Sequence, residues 1–231
     1  MTRTVVVTGG AGAIGGAVMR RFAGLGDRVA GVDVTAGSDI VACDVTDDGS
    51  VDTAFAQIRA EVGPVDVLVN AAGITGRGSV LDESPEQWRR ILEVNLTGAY
   101  LCCRAVLGDM IDRGQGVIVN IASVNARFGG SALSGPAYAA SKGGLVTLTR
   151  FIAGEHGADG IRANAVAPGP HDTPMWQALD GDRREAILAM HPGDAIGDPA
   201  DLAGVVAFLC SDDARYVNGA TVDVNGGQWM G

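Results

Sequence analysis

Short runs of consecutive apolar residues, most of them β-branched, recur along the chain between longer stretches in which apolar side chains return every three or four positions. The first pattern predicts strands at 4–7, 28–34, 40–43, 65–70, 116–121, 161–167 and 221–224. The second predicts helices at 13–25, 51–62, 85–110, 136–155, 173–190 and 199–210. A strand wetted on one face alternates apolar with polar residues, whereas an unbroken run such as Val5-Val6-Val7 must be covered on both faces. Strands of this kind alternating with helices predict an α/β fold, a doubly wound parallel sheet with helices on both faces and a ligand crevice at the carboxyl ends of its strands. Only ten residues separate Asp33 from Asp44, which leaves room for a turn but not for a full crossover helix, about 10 to 12 residues being the usual minimum.

Length and composition narrow the classes. The 231 residues hold no linker-like stretch, so 1–231 is expected to be a single domain. At 47% hydrophobic and 19% charged, the chain has ample core material. A formal net charge of -10, from 17 basic and 27 acidic residues, opposes nucleic acid and anionic membranes. No apolar run approaches bilayer length, and Met1-Thr2-Arg3 passes directly into a strand without a signal peptide, so a cytoplasmic, membrane-free protein is expected. Cys43, Cys102, Cys103 and Cys210 have neither metal-ligand nor CxxC spacing; they read as free packing thiols in a reducing compartment, and no metal is expected.

Candidate chemistry begins with Tyr138-Ala139-Ala140-Ser141-Lys142. On a helix, residues four apart share a face, so phenol and ammonium reach one small volume. A cation about 4 Å from the phenol is worth up to about 4 kcal/mol at an effective dielectric of 20, which would lower its pKa by about 3 units before desolvation opposes it. That would bring Tyr138 near working pH, where acid–base catalysis is most efficient. The bland alternative is a helix with a buried Tyr and an exposed Lys.

The first turn, Thr8-Gly9-Gly10-Ala11-Gly12-Ala13-Ile14-Gly15-Gly16, follows a strand and opens a helix. Its glycines let the backbone approach a pyrophosphate, which the helix N-terminus favours; a dinucleotide-binding turn of the Rossmann kind is expected here, the plain alternative being an ordinary strand-to-helix loop. Asp33 ends the second strand, placed to hydrogen-bond both hydroxyls of the adenosine ribose. A 2'-phosphate would bring about -1.5 to -2 charges against that carboxylate, and no Lys or Arg lies between Val29 and Arg59 to offset it, so NAD is expected over NADP.

With these residues in hand, the chain resembles a single-domain member of the short-chain dehydrogenase/reductase family over essentially its whole length. The resemblance assigns Gly9, Gly12, Ala13 and Ile14 to the cofactor loop, with Ala13 standing where glycine is more usual, and Asp44-Val45 to the adenine pocket. It gives Asn70-Ala71-Ala72-Gly73 the task of supporting the central sheet and lining the cofactor, and makes Asn95 the helix-kinking residue of a proton relay. Pro168, Gly169, His171 and Thr173 correspond to the segment that holds the nicotinamide carboxamide. Ser123 corresponds to the residue that bonds the substrate oxygen, and Asn125, His171 and Trp176 are further substrate candidates.

The implied reaction interconverts a secondary alcohol and a ketone by hydride transfer to or from NAD. Tyr138 is its general acid/base, Lys142 lowers the Tyr138 pKa and bonds the nicotinamide ribose, and Asn95 holds a water that links Lys142 to solvent. For Asn95 the simpler role is to satisfy helix backbone. Within this class the chain also resembles ring-aromatising dihydrodiol dehydrogenases, through its missing second helix, and 3-oxoacyl thioester reductases. A family member that binds NAD only as a sensor or scaffold is the alternative of a different class. Residues 173–198 would form a substrate-covering loop, in which Trp176, Leu179 and Met190 line an apolar pocket or pack as core. An inward Arg183 or Arg184 would imply an acidic substrate. Family members often carry Arg where Ala195 stands, so its loss is expected to loosen the loop between Met175 and His191. The His171 side chain faces substrate, stacks beside the nicotinamide or points to solvent. The partners expected are a small-molecule substrate and further copies of the chain, in a homotetramer or homodimer. Leu101, Cys102, Val106, Leu145, Leu148 and Phe151 are candidate contacts, and intramolecular burial explains many of them equally well.

Overall fold

The computed structural model describes residues 2–192 and 196–231. In chain order its first half comprises β1 (Thr4–Thr8), α1 (Ala13–Gly24), β2 (Arg28–Asp33), β3 (Ile40–Ala42), α2 (Asp48–Glu61), β4 (Val67–Asn70), α3 (Pro85–Leu92) and α4 (Gly98–Asp112). The second half comprises β5 (Gly116–Ile121), α5 (Asn125–Phe128), α6 (Pro136–His156), β6 (Ile161–Pro168), α7 (Pro174–Gln177), α8 (Gly181–Leu188), α9 (Pro199–Leu209) and β7 (Thr221–Val224).

Every residue of β1 is buried, as its unbroken apolar run requires. Val6 points with Leu68, Ile118 and Ala163 into a core shared with Phe55, Ile58, Cys102, Val106 and Met110. Val5 and Val7 point the other way, with Val67, Val69, Val119 and Val166, against Val18, Phe22, Leu202, Val206 and Leu209. The sheet is therefore a partition between two cores, and a fully buried side chain such as Phe22 contributes about 1.5 to 3 kcal/mol to it.

All seven strands pair in parallel in the order β3-β2-β1-β4-β5-β6-β7. Strand order reverses between β1 and β4, and a crevice opens there beyond the strand ends. Thr8 staples the two lips of that crevice, its hydroxyl oxygen accepting the Ala71 and Ala72 N–H groups, each at 3.0 Å. No helix intervenes between β2 and β3; the connection closes with a bridge between Gly37 and Ile40, as the short spacing required.

Several expectations need correction. The predicted helix at 85–110 is α3 and α4 joined by a π-helical turn, Glu93–Thr97, that contains Asn95. The whole of Pro85–Asp112 is long and apolar enough by length and composition to cross a membrane, contrary to the expectation that no segment is. Here Leu101, Cys102, Cys103, Val106 and Met110 pack it into the core beside the sheet. The predicted helix at 173–190 is two short helices, divided where the Asp180 carboxylate accepts the Arg183 N–H at 2.9 Å and caps α8. α5 was not foreseen; four residues closed by Gly129 at φ 83 leave too short a pattern to detect. Ala195 lies outside the described residues.

Of the candidate subunit contacts, Leu101, Cys102, Val106 and Leu145 are buried in the chain's own core and Leu148 packs against it; Phe151 remains 65% exposed. All four cysteines are free and buried, and burial pushes the Cys103 thiol up to about 12, which suits packing rather than reactivity.

Candidate active site

The first turn of α6 is set by a charge. The Glu83 carboxylate accepts the Ala137 N–H at 2.8 Å, placing an anion at the positive end of the helix immediately beside Tyr138. One turn on, Lys142 is buried at 4% exposure and donates from Nζ to the Ile121 carbonyl at the end of β5, at 2.7 Å. Its nitrogen lies 5.7 Å from the Tyr138 ring centre, so the two side chains do share one side of α6. Ser123, also buried, lies just past β5; its hydroxyl oxygen accepts the Asn125 N–H at 3.2 Å, and its nearness to Tyr138 acts to lower the phenol's pKa.

The expected acidification of Tyr138 is not present in the protein alone. Burial raises the phenol above its usual value of 10, and the neighbouring Ser123 hydroxyl lowers it by less. Burial also pulls the Lys142 ammonium down to about 8. The reason is geometric: Lys142 is directed to the Ile121 carbonyl, and both groups have left water, which penalises each charged form. In the free protein the ammonium is lost near pH 8, before the phenol ionises.

Asn95 does not satisfy its own helix. Its Oδ1 accepts the Ile74 N–H at 2.8 Å, while Nδ2 donates to the Ile74 carbonyl at 2.9 Å and to the Ser141 hydroxyl at 3.0 Å. The side chain thus ties the loop after β4 to α6. An added Cβ on Gly73 would sit 3.3 Å from Asn95 Oδ1 and 3.4 Å from Lys142 Nζ, so any side chain there would wedge between the two.

Ser123, Tyr138, Lys142 and Gly73 face a cleft of about 680 Å³, whereas Asn95 lies behind its lining. Its walls include Gly9, Gly12, Ala13, Ile14, Ala71, Gly73, Ser123, Asn125, Tyr138, Lys142, Pro168, Gly169, His171, Thr173 and Trp176, so most of the predicted site residues are brought together. Leu179 and Met190 also line it. Thr173 caps α7, accepting the Trp176 N–H at 3.2 Å. His171 is buried, hydrogen-bonds the Gly169 carbonyl through Nδ1 at 2.9 Å and packs against Gly197, which rules out a solvent-directed ring. It also borders a second cavity of about 340 Å³, lined in part by His191, Asp201, Asp223 and Asn225.

Other predicted residues lie outside the cleft lining. Asn70 is buried in the sheet, donating to Asn120 Oδ1 at 2.9 Å, so it supports the strand ends while Ala71 and Gly73 form the wall. Ala72 contributes its N–H to Thr8. Asp33 accepts the Ala11 N–H at 3.1 Å and the Thr35 N–H at 3.2 Å, tying the glycine turn to the end of β2. Asp44 accepts the Thr46 N–H and hydroxyl at 2.9 and 2.7 Å, which hold its carboxyl below the usual range, and Val45 is buried against Gly98.

The glycine turn fits a dinucleotide. Gly12 caps α1 without a side-chain hydrogen bond, and no acidic residue occupies the first turn, so the leading N–H groups are free for an anion. An added Cβ on Gly9 would lie 2.8 Å from Ala72 Cα, and one on Gly15 would strike the Gly9 carbonyl oxygen, so backbone alone forms this cradle. Arg77 and Glu83 were missed as site residues. Arg77 was visible as a lone cation between two glycines beyond a strand's carboxyl end; Glu83 carried no signal, because its partner lies 54 positions away.

A phenol, a hydroxyl and an ammonium gathered beside a dinucleotide cradle at the switch point of a doubly wound sheet define a nicotinamide-dependent oxidoreductase. The sequence profile described as "Enoyl-(Acyl carrier protein) reductase" matches residues 11–228. The chain is 40% identical to 2-(R)-hydroxypropyl-CoM dehydrogenase of Xanthobacter autotrophicus over 98% of both chains. It is 39% identical to the 3-oxoacyl-[acyl-carrier-protein] reductase MabA of Mycobacterium tuberculosis, over 100% of this chain and 94% of that one. The crystal structure of gox2181 superposes with a TM-score of 0.93 at 34% identity, covering 98% of this chain and 95% of that one. The chain belongs to the short-chain dehydrogenase/reductase family and is an oxidoreductase.

Proposed function

We propose that the protein is an NAD-dependent dehydrogenase/reductase that interconverts a secondary alcohol and a ketone, with Tyr138 as general acid/base. The observation that carries this reading is the convergence of Ser123, Tyr138 and Lys142 on one wall of the cleft that the glycine turn opens. Gly9, Gly12, Ala13 and Ile14 would hold the pyrophosphate, Asp33 the adenosine ribose, Asp44 and Val45 the adenine, Ala71 and Gly73 the adjoining wall, and Pro168, Gly169, His171 and Thr173 the carboxamide end. A bound nicotinamide supplies the hydride acceptor or donor. The Ser123 hydroxyl donates to the substrate oxygen and orients it against Tyr138. The Tyr138 oxygen takes the alcohol proton during oxidation and returns it during reduction. Lys142, held by the Ile121 carbonyl, stabilises the tyrosinate and keeps two N–H donors for a ribose hydroxyl. Asn95 acts as a positioning residue through Ile74 and Ser141.

The preference for NAD rests on Asp33 and on the lack of a cation between Val29 and Arg59. A second reading, reduction of a 3-oxoacyl thioester, draws on the named activity of MabA and on the apolar Phe128, Leu133, Trp176 and Leu179 in the cleft. Four buried free cysteines suit the cytoplasm, and exposed Phe151 suits a homotetramer or homodimer. The test is cofactor reduction with NAD+ and NADP+ across secondary alcohols, cyclic dihydrodiols and 3-hydroxyacyl thioesters. Turnover with NAD+ that shifts toward NADP+ on Asp33→Ala with Val34→Arg supports the reading. Unchanged selectivity in that variant refutes the Asp33 assignment, and no turnover with any of these substrates refutes the alcohol–ketone assignment.

A further inference from the structure

The chain carries a net charge of -10, yet among the described residues no Asp or Glu lines the cleft, whereas Lys142, Arg77 and Arg183 do. Lys142 lies buried on the Ile121 carbonyl. The two arginines converge elsewhere, on Leu133. Gly76 N–H donates to the Ser134 carbonyl at 3.1 Å and Gly78 N–H to the Ala132 carbonyl at 2.8 Å, so the backbone on either side of Arg77 is held against the turn that contains Leu133. Arg77 and Leu133 both line the cleft. From the other side, Arg183 Nη2 donates to the Leu133 carbonyl at 2.6 Å. Among the described residues neither arginine has a carboxylate within 4.0 Å. Among the described residues Arg183 keeps four of its five N–H donors. Neighbouring Arg184 turns away, spending its guanidinium on the Leu179 and Gln177 carbonyls at 2.9 and 2.8 Å.

Two cations brought to one residue without a counter-ion repel each other, and an anion between them removes that penalty. Leu133 lies five positions before Tyr138, on the chain that leads into α6. We propose that the substrate carries an anionic group, a carboxylate or an anion of like charge, apart from its reacting carbon, and that Arg77 and Arg183 bind that group at Leu133. This rests on the reading of Ser123 and Tyr138 as the carbonyl site. The glycine turn, not the arginines, takes the cofactor's pyrophosphate. Guanidinium forks suit such a task because they meet a planar carboxylate with two parallel hydrogen bonds.

The test is calorimetric binding to the wild-type enzyme saturated with NAD+, a combination that cannot reduce a ketone. Straight-chain oxo acids of four to eight carbons are titrated beside their methyl esters. At least one acid is expected to bind about tenfold more tightly than its ester, as a charge-assisted contact requires. Arg183→Gln, which keeps a donor for the Leu133 carbonyl, brings that ratio near one; Arg77→Gln lowers it in part; Arg184→Gln preserves it. Equal binding of acid and ester throughout the series, a ratio that survives Arg183→Gln, or an equal loss in Arg184→Gln overturns the proposal. So does a loss of NAD+ affinity in Arg183→Gln with the ratio intact, which would make the arginine a cofactor ligand. Reduction with NADH is followed in parallel: a preserved ratio without reduction of any oxo acid leaves the anion site standing and removes the alcohol–ketone reading.

Discussion

The two walls of the cleft are built by different means. On the sheet side, Lys142, Ser123 and Asn95 are buried, and each is held by partners distant in sequence or by adjoining backbone: Lys142 by Ile121, Asn95 by Ile74 and Ser141, Ser123 by Asn125. On the outer side, α8 contains no buried residue and is held by a local cap at Asp180 and by arginine bonds to the Leu133, Leu179 and Gln177 carbonyls. The inner wall therefore resists change because every displaced group would be left buried and unsatisfied, while the outer wall trades its contacts for water at little loss. In the mechanism proposed above, chemistry belongs to the first wall and choice of substrate to the second.

The largest predicted effect breaks the inner wall at its reacting atom. Tyr138→Phe should lower turnover by about 10² to 10⁴ in steady-state assays while cofactor affinity by fluorescence titration changes little; retained turnover would remove Tyr138 as acid/base. Gly15→Ala should weaken cofactor binding by about thirtyfold, since relieving the clash of its Cβ with the Gly9 carbonyl requires roughly 2 kcal/mol of backbone adjustment; native affinity would contradict the cradle.

Lys142→Met sharpens the comparison through pH. A lysine lowered from 10.5 to about 8 penalises folding while it is charged in both states, and that penalty fades as pH rises from about 8 through 10.5. Wild type should therefore gain roughly 3 kcal/mol relative to Lys142→Met between pH 7 and 11 in denaturant titrations; a pH-independent difference would mean that Lys142 is not desolvated. The smallest effect lies on the outer wall. Asp180→Ala removes the cap of α8 and should cost about 1 kcal/mol of local stability, read as faster amide exchange in α8, with a change in KM and little in kcat. A comparable fall in kcat would erase the distinction between the walls.

The same contrast explains what the sequence disclosed. Strands buried on both faces favour unbroken apolar runs, so β1, β4 and β5 were readable from Val5-Val6-Val7, Val67-Leu68-Val69 and Val117-Ile118-Val119, and the missing helix between β2 and β3 followed from a count of residues. Tyr138 and Lys142 were readable because four positions on a helix imply one face. The capping aspartate at 180 was present as a helix-start signal inside 173–190, but a helical period that spans both short helices concealed it. The Asn95 contacts and the charge of Glu83 on α6 depend on residues far along the chain, which no local pattern encodes. The Lys142 contact with Ile121 likewise turned the expected acid phenol into one that burial raises.

The most direct measurement is ultraviolet titration of tyrosine ionisation, taken as the difference between wild type and Tyr138→Phe, in the free protein and with NAD+ bound. Tyr138 should ionise above pH 10 in the free protein, because burial outweighs the influence of the neighbouring Ser123, and at lower pH in the complex, where the positive charge of the oxidised nicotinamide favours the tyrosinate. A free phenol already ionised below 10, or a pKa unmoved by NAD+, would contradict the account.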